Sequence, residues 1–349
     1  MGAAAASAAA AAAAAATEGT SRGSQAGVCT AVIPALPHLA PWYRISAEDE
    51  KVVLEYGQRI VCLEGRAAAV LVPVLLPLLD GTRTLDDIAA VLGEPARPAI
   101  ETALERLDAH DLLLDGPPLR ADLPAPASDT AEMLASLRPG QVAPREVAAA
   151  LGSRTAAVVG TGSAAAEVGR LLRQSGVVVE RCEAISAGVD LAICAPAPAQ
   201  LPMLGEWNRQ ALGSSQAWLQ ILPFDGRYAS IGPLYLPDET CCFECFRLRR
   251  AANLDVGDEL ALLEAAPASY PSPPSLHAFV SGIAATLALV WLGLRDQYVP
   301  SAFYAVELVP ALSVTVHHVH RVPRCPACSG LADVAAPLPW HKESSVAGG

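Results

Sequence analysis

Apolar positions along the chain fall into distinct rhythms. Trp42 to Ser46, Lys51 to Tyr56 and Arg59 to Leu63 are short runs rich in Val, Ile, Leu and Tyr, separated by Glu-Asp-Glu and Tyr-Gly-Gln breaks. They predict a three-stranded meander. Three helical segments follow: Arg66 to Leu79, Leu85 to Leu92 and Pro98 to Ala109. Asp80-Gly81 stops the first, and Thr84 is a suitable N-cap for the second, with Asp87 three places on. In the third, Ile100, Ala103, Leu104 and Leu107 recur at i, i+3, i+4 and i+7 and define one apolar face. Leu112 to Leu114 returns as a strand. From Pro117 to Pro144 the chain turns to Pro, Ala, Asp and Ser, the signature of a linker with one short helix around Ala131 to Leu137. Beyond it, strand Ala156 to Val159, the glycine turn Gly160 to Ala165, helix Glu167 to Ser175 and strand Gly176 to Glu180 make a βαβ start. Asp190 to Cys194 and Ala217 to Pro223 read as strands and Leu201 to Leu212 as a helix. Ser301 to Val309 and Leu312 to Val322 alternate like an antiparallel pair.

Three strands, three helices and a strand tail are the layout of a winged helix-turn-helix. The expected fold class is α/β, an N-terminal α+β winged-helix module followed by a Rossmann-type domain. Residues 1–36 read as a disordered tail, 37–116 as the winged helix, 117–152 as a linker, 153–332 as the second domain and 333–349 as a second tail. The length of 349 residues suits two or three domains, and 52% hydrophobic against 17% charged residues excludes a disordered or fibrous chain. A net charge of −12 argues against a phosphate-driven nucleic-acid binder. Between Thr84 and Asp115 the only arginines are Arg97 and Arg106, whereas a DNA-reading helix presents a basic face. Such a module is better suited to a protein or peptide. The alanine run from Ala3 to Ala16 lacks a basic start and is too weakly apolar for a signal peptide. The apolar stretch Phe279 to Leu294 is shorter than the roughly 20 residues a membrane span needs. It is expected to be a buried helix in a cytoplasmic protein without a membrane partner.

Nine cysteines are an odd count, and four of them form two CxxC pairs, Cys242 with Cys245 and Cys325 with Cys328. Two such turns supply the four thiolates of a closed tetrahedral Zn²⁺ site, which leaves no position open for a reacting water. A structural zinc in a reducing compartment therefore reads better than a disulfide framework. Pro326 and Gly330 suit a knuckle turn. Cys241 is out of phase, and His317, His318 and His320 are expected to stay outside the ligand set. Gly160 and Gly162 form a GxGxxA turn after a strand, which aims helix N-terminal N–H groups at a phosphate. Glu180, at the end of the second strand, holds the place of an acid that binds ribose hydroxyls. The competing reading is a turn that packs helix against strand and binds nothing.

These features, with Gly232-Pro-Leu-Tyr-Leu-Pro-Asp-Glu-Thr-Cys-Cys-Phe-Glu-Cys245, Arg247-Leu-Arg-Arg-Ala-Ala-Asn253 and Arg321-Val-Pro-Arg-Cys-Pro-Ala-Cys328, resemble the ThiF-type, ubiquitin-activating-enzyme-like superfamily. Within it the chain is most similar to the leader-peptide-binding partner proteins of peptide cyclodehydratases, which serve the biosynthesis of thiazole- and oxazole-modified peptides. The resemblance implies a winged-helix peptide-recognition domain joined to a ThiF-like domain with a four-cysteine zinc site. It also implies that a precursor leader peptide adds as a strand along Arg59, Ile60, Val61, Cys62 and Leu63, against the helix bearing Ile100, Leu104 and Leu107. Arg59 and Arg97 would pair with acidic leader residues. Active ThiF-type enzymes need an acid, an arginine and a lysine around Mg²⁺-ATP. Here no lysine lies between Lys51 and Lys342, Cys194-Ala195-Pro196 stands where the metal-binding Asp would follow its strand, and Asn208-Arg209-Gln210 falls in a later helix. The nucleotide site around Gly160, Gly162 and Glu180 is thus expected to be vestigial, with no ATP bound. The expected function is non-catalytic: leader capture for a separate YcaO-type, ATP-dependent cyclodehydratase, in a homo- or hetero-oligomer. The alternatives are a ThiF-type ATP-dependent enzyme that adenylates a peptide carboxylate, and a transcriptional regulator.

Overall fold

The structure is a computed structural model and describes residues 33–48, 50–185, 187–253, 266, 268–308 and 311–329. The two expected tails lie outside the described residues, apart from 33–36. The chain divides into two units, Met1–Ala148 and Ala149–Gly349.

In the first unit a short strand β1 (Pro37–Leu39) precedes the meander of β2 (Arg44–Glu48), β3 (Lys51–Tyr56) and β4 (Arg59–Glu64). The meander is an antiparallel sheet in the order β2-β3-β4. Gly57, at φ +60°, gives β3 and β4 a two-residue connection of the kind that matches strand twist. Helix α1 (Arg66–Leu75) tightens into a 3₁₀ turn at Leu76–Leu78, where Pro77 disfavours continued α geometry before it. Helix α2 (Leu85–Leu92) opens on a reciprocal cap: Asp87 N–H donates to Thr84 Oγ1, and Asp87 Oδ2 accepts from Thr84 N–H at 2.9 Å. Helix α3 (Arg97–Asp108) leads to β5 (Leu113–Asp115), which pairs antiparallel with β1. Val52, Leu54, Val61, Leu71, Leu75, Ile88, Ile100, Leu104, Leu107 and Leu112 form one core.

The stretch expected to be a linker is mostly helical. Helices α4 (Ala125–Ser136) and α5 (Pro144–Gly152) lie within it, and α4 buries Ala127, Ala131, Leu134 and Ala135. Alanine, which gives the segment its linker-like composition, is also the strongest helix former and lets helices pack closely. Ser136 Oγ meets Tyr56 Oη at 2.8 Å, tying α4 to β3.

The second unit is built on a seven-stranded mixed sheet in the order β12-β11-β10-β9-β8-β6-β7. Strand β6 (Thr155–Val159), helix α6 (Ser163–Gln174), β7 (Val178–Cys182), β8 (Leu191–Cys194), α7 (Leu204–Ser214) and β9 (Trp218–Leu222) supply its parallel part. β10 (Tyr228–Tyr235), then α8 (Phe243–Ala252), α9 (Pro274–Leu294), β11 (Ala302–Glu307) and β12 (Ser313–His318) follow, with the three strands antiparallel. Side chains alternate between the faces of β6. Val158 comes within 3.6 Å of where a Cβ on Gly169 of α6 would sit, while Val159 joins Cys194, Trp207, Trp218 and Phe243 in a second cluster. Helix α9 starts five residues before its expected beginning and is long and apolar enough by composition to cross a bilayer. Within the unit it packs against α6 and β10 and buries Leu276, Val280, Ala284, Ala288 and Leu292.

Candidate functional site

Three regions hold the residues singled out from the sequence. In the first, Cys242 caps α8 and Cys245 lies one turn later, so the helix repeat brings both sulfurs to one side. The loop after β12 returns Cys325 and Cys328 to meet them. The Cys242–Cys245, Cys242–Cys325 and Cys245–Cys328 sulfur separations are 3.8, 3.7 and 3.5 Å, and all four atoms lie within 4.8 Å of one another. A tetrahedron with bonds of about 2.3 Å to sulfur has edges of about 3.8 Å, so the set could hold a metal ion. Phe243 N–H donates to the buried Asn208 Oδ1 at 3.0 Å, anchoring the start of α8 to α7. Arg249 donates to the carbonyls of His320 and Arg321 at 2.5 and 3.0 Å, tying the two cysteine segments together. Trp218, Tyr235 and Phe246 wall the cluster. Burial raises the Cys242 thiol and pushes Cys328 up to about 11. At Cys245 burial acts upward too, but is outweighed by hydrogen bonds, among them one from Val322 N–H at 3.3 Å, so that thiol is lowered. Cys241 is buried beside the cluster without joining it, and His317 lies against Thr315 and Phe303.

The second region is the glycine turn. It joins β6 to α6 beside the end of β8, where the strand order reverses, the usual place for a ligand crevice in such sheets. A Cβ on Gly160 would sit 2.5 Å from Ala195 O, and one on Gly162 would sit 2.5 Å from Pro196 O, so close backbone packing alone requires both glycines. Three donors of the turn are already taken. Gly162 N–H donates to Ala195 O at 2.8 Å. Gln200 Oε1 accepts from Thr161 N–H, Thr161 Oγ1 and Ala197 N–H at 2.8, 2.9 and 3.0 Å. The expected strand ending at Glu180 runs instead from Val178 to Cys182, paired with β6 through Val159. Glu180 is therefore mid-strand opposite Ala157, exposed and outside the crevice lining, not at the strand end where a ribose would lie. Beside the turn is a cavity of about 430 Å³ whose lining, among the described residues, contains no Asp, Glu, Lys or Arg. His277 stands in it, with Nδ1 2.7 Å from Ser163 Oγ and Nε2 2.9 Å from Ser272 Oγ. Gln200, Ser272 and His277 carried no sequence signal, because no local motif marks them.

The third region is the outer edge of β4, which within the described residues pairs only with β3. Ile60 is 65% exposed and Cys62 is also exposed, whereas Val61 is buried and Leu63 half-buried. The apolar face expected to touch a ligand is corrected here: Ile100, Leu104 and Leu107 are fully buried core residues. Their helical stripe faces inward, into the core with α1, α2 and β5, as such stripes usually do. Arg59 donates to His110 O and Asp111 Oδ2 at 2.6 and 3.0 Å, and Arg97 bonds Glu94 and Asp86, so both cations already have acidic partners in the chain.

No family model and no curated protein matches the sequence. Solved structures do match it in fold. Among them are two heterocyclases and the E. coli protein MccB. The heterocyclase TruD aligns with a TM-score of 0.68 at 24% identity, over 84% of this chain and 43% of that one. A heterocyclase in complex with substrate and cofactor aligns at 0.66 and 25%, over 84% and 39%. MccB of E. coli, solved with ATP, aligns at 0.60 and 11%, over 84% of this chain and 99% of its own. The chain thus spans less than half the length of the heterocyclases it resembles. Its structural neighbours agree with the resemblance drawn from the paired CxxC motifs.

Proposed function

We propose that the protein is a non-catalytic recognition subunit in the biosynthesis of a ribosomally made, heterocycle-bearing peptide. The first unit acts as a winged helix that accepts the leader as an added strand on β4. Main-chain bonds to the open edge supply affinity there, and side-chain pockets fix the register. An open edge is otherwise an aggregation hazard, which gives a partner a physical role. The leader's contacts fall on Ile60, Cys62 and Leu63, and its acids compete for Arg59 and Arg97. The second unit acts as a ThiF-like frame in which Cys242, Cys245, Cys325 and Cys328 hold a structural Zn²⁺. When bound, the ion supplies cross-linking of α8 to the loop after β12 and no reaction chemistry. A YcaO-type cyclodehydratase carries out the ATP-dependent ring closure.

The observation that carries the absence of ATP chemistry is the crevice. Charge building up on a transferring phosphate needs cations around it. The described lining offers none, and Gln200 accepts the N–H and the hydroxyl of Thr161 in the turn. The alignment with MccB over nearly its whole length favours a second reading, a peptide-adenylating enzyme. ATP–pyrophosphate exchange separates the two. We expect background rates with the purified protein and any candidate precursor, while titrating the leader perturbs the amide signals of Arg59 to Leu63. Exchange or ATP hydrolysis without a partner overturns the reading, as does a leader that leaves β4 undisturbed.

A further inference from the structure

The seven-stranded sheet has two edge strands, β7 and β12, and they differ in what they present. On β7, Glu180 and Arg181 stand exposed in mid-strand, the kind of charge that keeps an edge from pairing with another chain. Among the described residues β12 pairs only with β11, and all six of its residues are exposed. No Asp, Glu, Lys, Arg or Pro falls between Ala311 and Val316, so nothing there blunts the edge. Val314 lies opposite Val306 of β11, which is fully buried. An apolar face therefore runs outward from the core and ends uncovered at Leu312, Val314 and Val316, which are 62, 42 and 51% exposed. Ser313, Thr315 and His317 alternate onto the other face, where His317 meets Phe303. Charge then selects the occupant. A chain of net charge −12 repels a second copy over most of its surface, yet residues 311–329 contain no Asp or Glu, so two copies can meet there without opposing acids. A two-fold axis through Thr315, normal to the sheet, sets Val314 against the second copy's Val316 and Ser313 against its His317. That makes an apolar pair on one face and a hydrogen-bonding pair on the other. A contact that uses the same strand twice closes at two copies. We propose that the protein forms a two-fold dimer in which β12 pairs antiparallel with itself about Thr315, joining the two sheets edge to edge.

Sedimentation velocity of the full-length protein over a concentration series tests this. A reversible monomer–dimer equilibrium is expected, with no larger species. Thr315 faces itself across the axis, so Thr315→Lys and Thr315→Glu each oppose like charges and should dimerise roughly tenfold more weakly or worse. Mixing the two variants sets opposite charges against each other and should restore the dimer. Thr315 is exposed, and an unchanged melt of each variant checks that it folds. Glu180→Ala, on the opposite edge, should leave the equilibrium where it was. The proposal is overturned if the wild type stays monomeric, if it grows beyond a dimer, if the two charged variants dimerise like the wild type, or if mixing them restores nothing. A monomer with slow amide exchange along β12 would assign the edge to the chain's own residues 330–349, and one with fast exchange would leave it to a different protein. Dimerisation is measured without any leader, so this proposal and the peptide-binding reading fail separately.

Discussion

Asp190, just ahead of β8, collects three groups from two separate parts of the second unit, the neighbours Arg154 and Thr155 and the distant Arg295. Its carboxylate accepts from Thr155 N–H at 2.9 Å and Arg154 Nη1 at 2.6 Å, with Arg295 Nη2 at 3.5 Å. Burial alone would raise its pKa. The amide and the guanidinium outweigh that and hold it below the ordinary carboxylate value. A carboxyl depressed in the folded state contributes stability above its unfolded pKa and loses it as pH falls through the folded value. Acidification below the ordinary carboxylate range should therefore destabilise the second unit. Asp190→Asn should cost about 1–3 kcal/mol near neutral pH and flatten the acid limb of a melting-temperature profile. Parallel acid limbs for the two proteins would rule out this role. Gly160 and Gly162 teach a related point at the same scale. A glycine pattern reports close backbone approach, and here the approaching group is Ala195–Pro196.

At the scale of elements, β4 supports a sharper test than any single contact. In a two-residue hairpin the closing pair, Tyr56 with Arg59, is hydrogen-bonded. Alternation then turns the backbone groups of Arg59, Val61 and Leu63 toward β3 and those of Ile60 and Cys62 toward the open edge. Ile60→Pro removes one outward N–H and leaves the β3 ladder intact, since edge strands tolerate proline there. It should weaken leader binding by tenfold or more with little change in the melt of the first unit, whereas Glu55→Gln on β3 should leave binding unchanged. Equal affinity for Ile60→Pro and wild type would remove β-augmentation as the binding mode. Much of this architecture was legible in the sequence: the meander, α2 with its cap and the β11–β12 pair follow from local period and capping. The face of α3 was legible as a stripe, but a stripe does not say whether it meets core or ligand, and Ile100, Leu104 and Leu107 meet core. β10 escaped notice because Gly232-Pro233 reads as a break inside what is a continuous strand. The end of β7 is set by pairing with Val159, not by its own residues. The CxxC pairs announced themselves by spacing, whereas Gln200 and His277 reach the glycine turn from 39 and 114 positions away.

At the scale of the whole molecule, the two units keep separate cores, and the four cysteines stitch only the second. Their segments belong to α8 and the loop after β12, so a bound ion closes a long loop that the sheet alone leaves open at its antiparallel end. In small zinc domains metal binding contributes on the order of 10 kcal/mol and the apo chain is unfolded. Here β6 to β9 bury their own apolar residues, so part of the second unit should survive without metal. Cys245→Ser, or exhaustive chelation of the wild type, should remove one equivalent of zinc per chain. Either treatment should lower a calorimetric transition of the second unit by several kcal/mol, at roughly 2–4 °C per kcal/mol for a domain of this size. The transition of the first unit, and leader affinity on β4, should stay where they were. Cys241→Ser is the matched control, since its thiol is equally buried but outside the four-sulfur set. If Cys245→Ser retains its zinc and melts like the wild type, the four sulfurs are packing partners and not a metal site. If chelation melts both transitions together, folding of the first unit depends on the metal, and the assignment of separate roles to the two units fails with it.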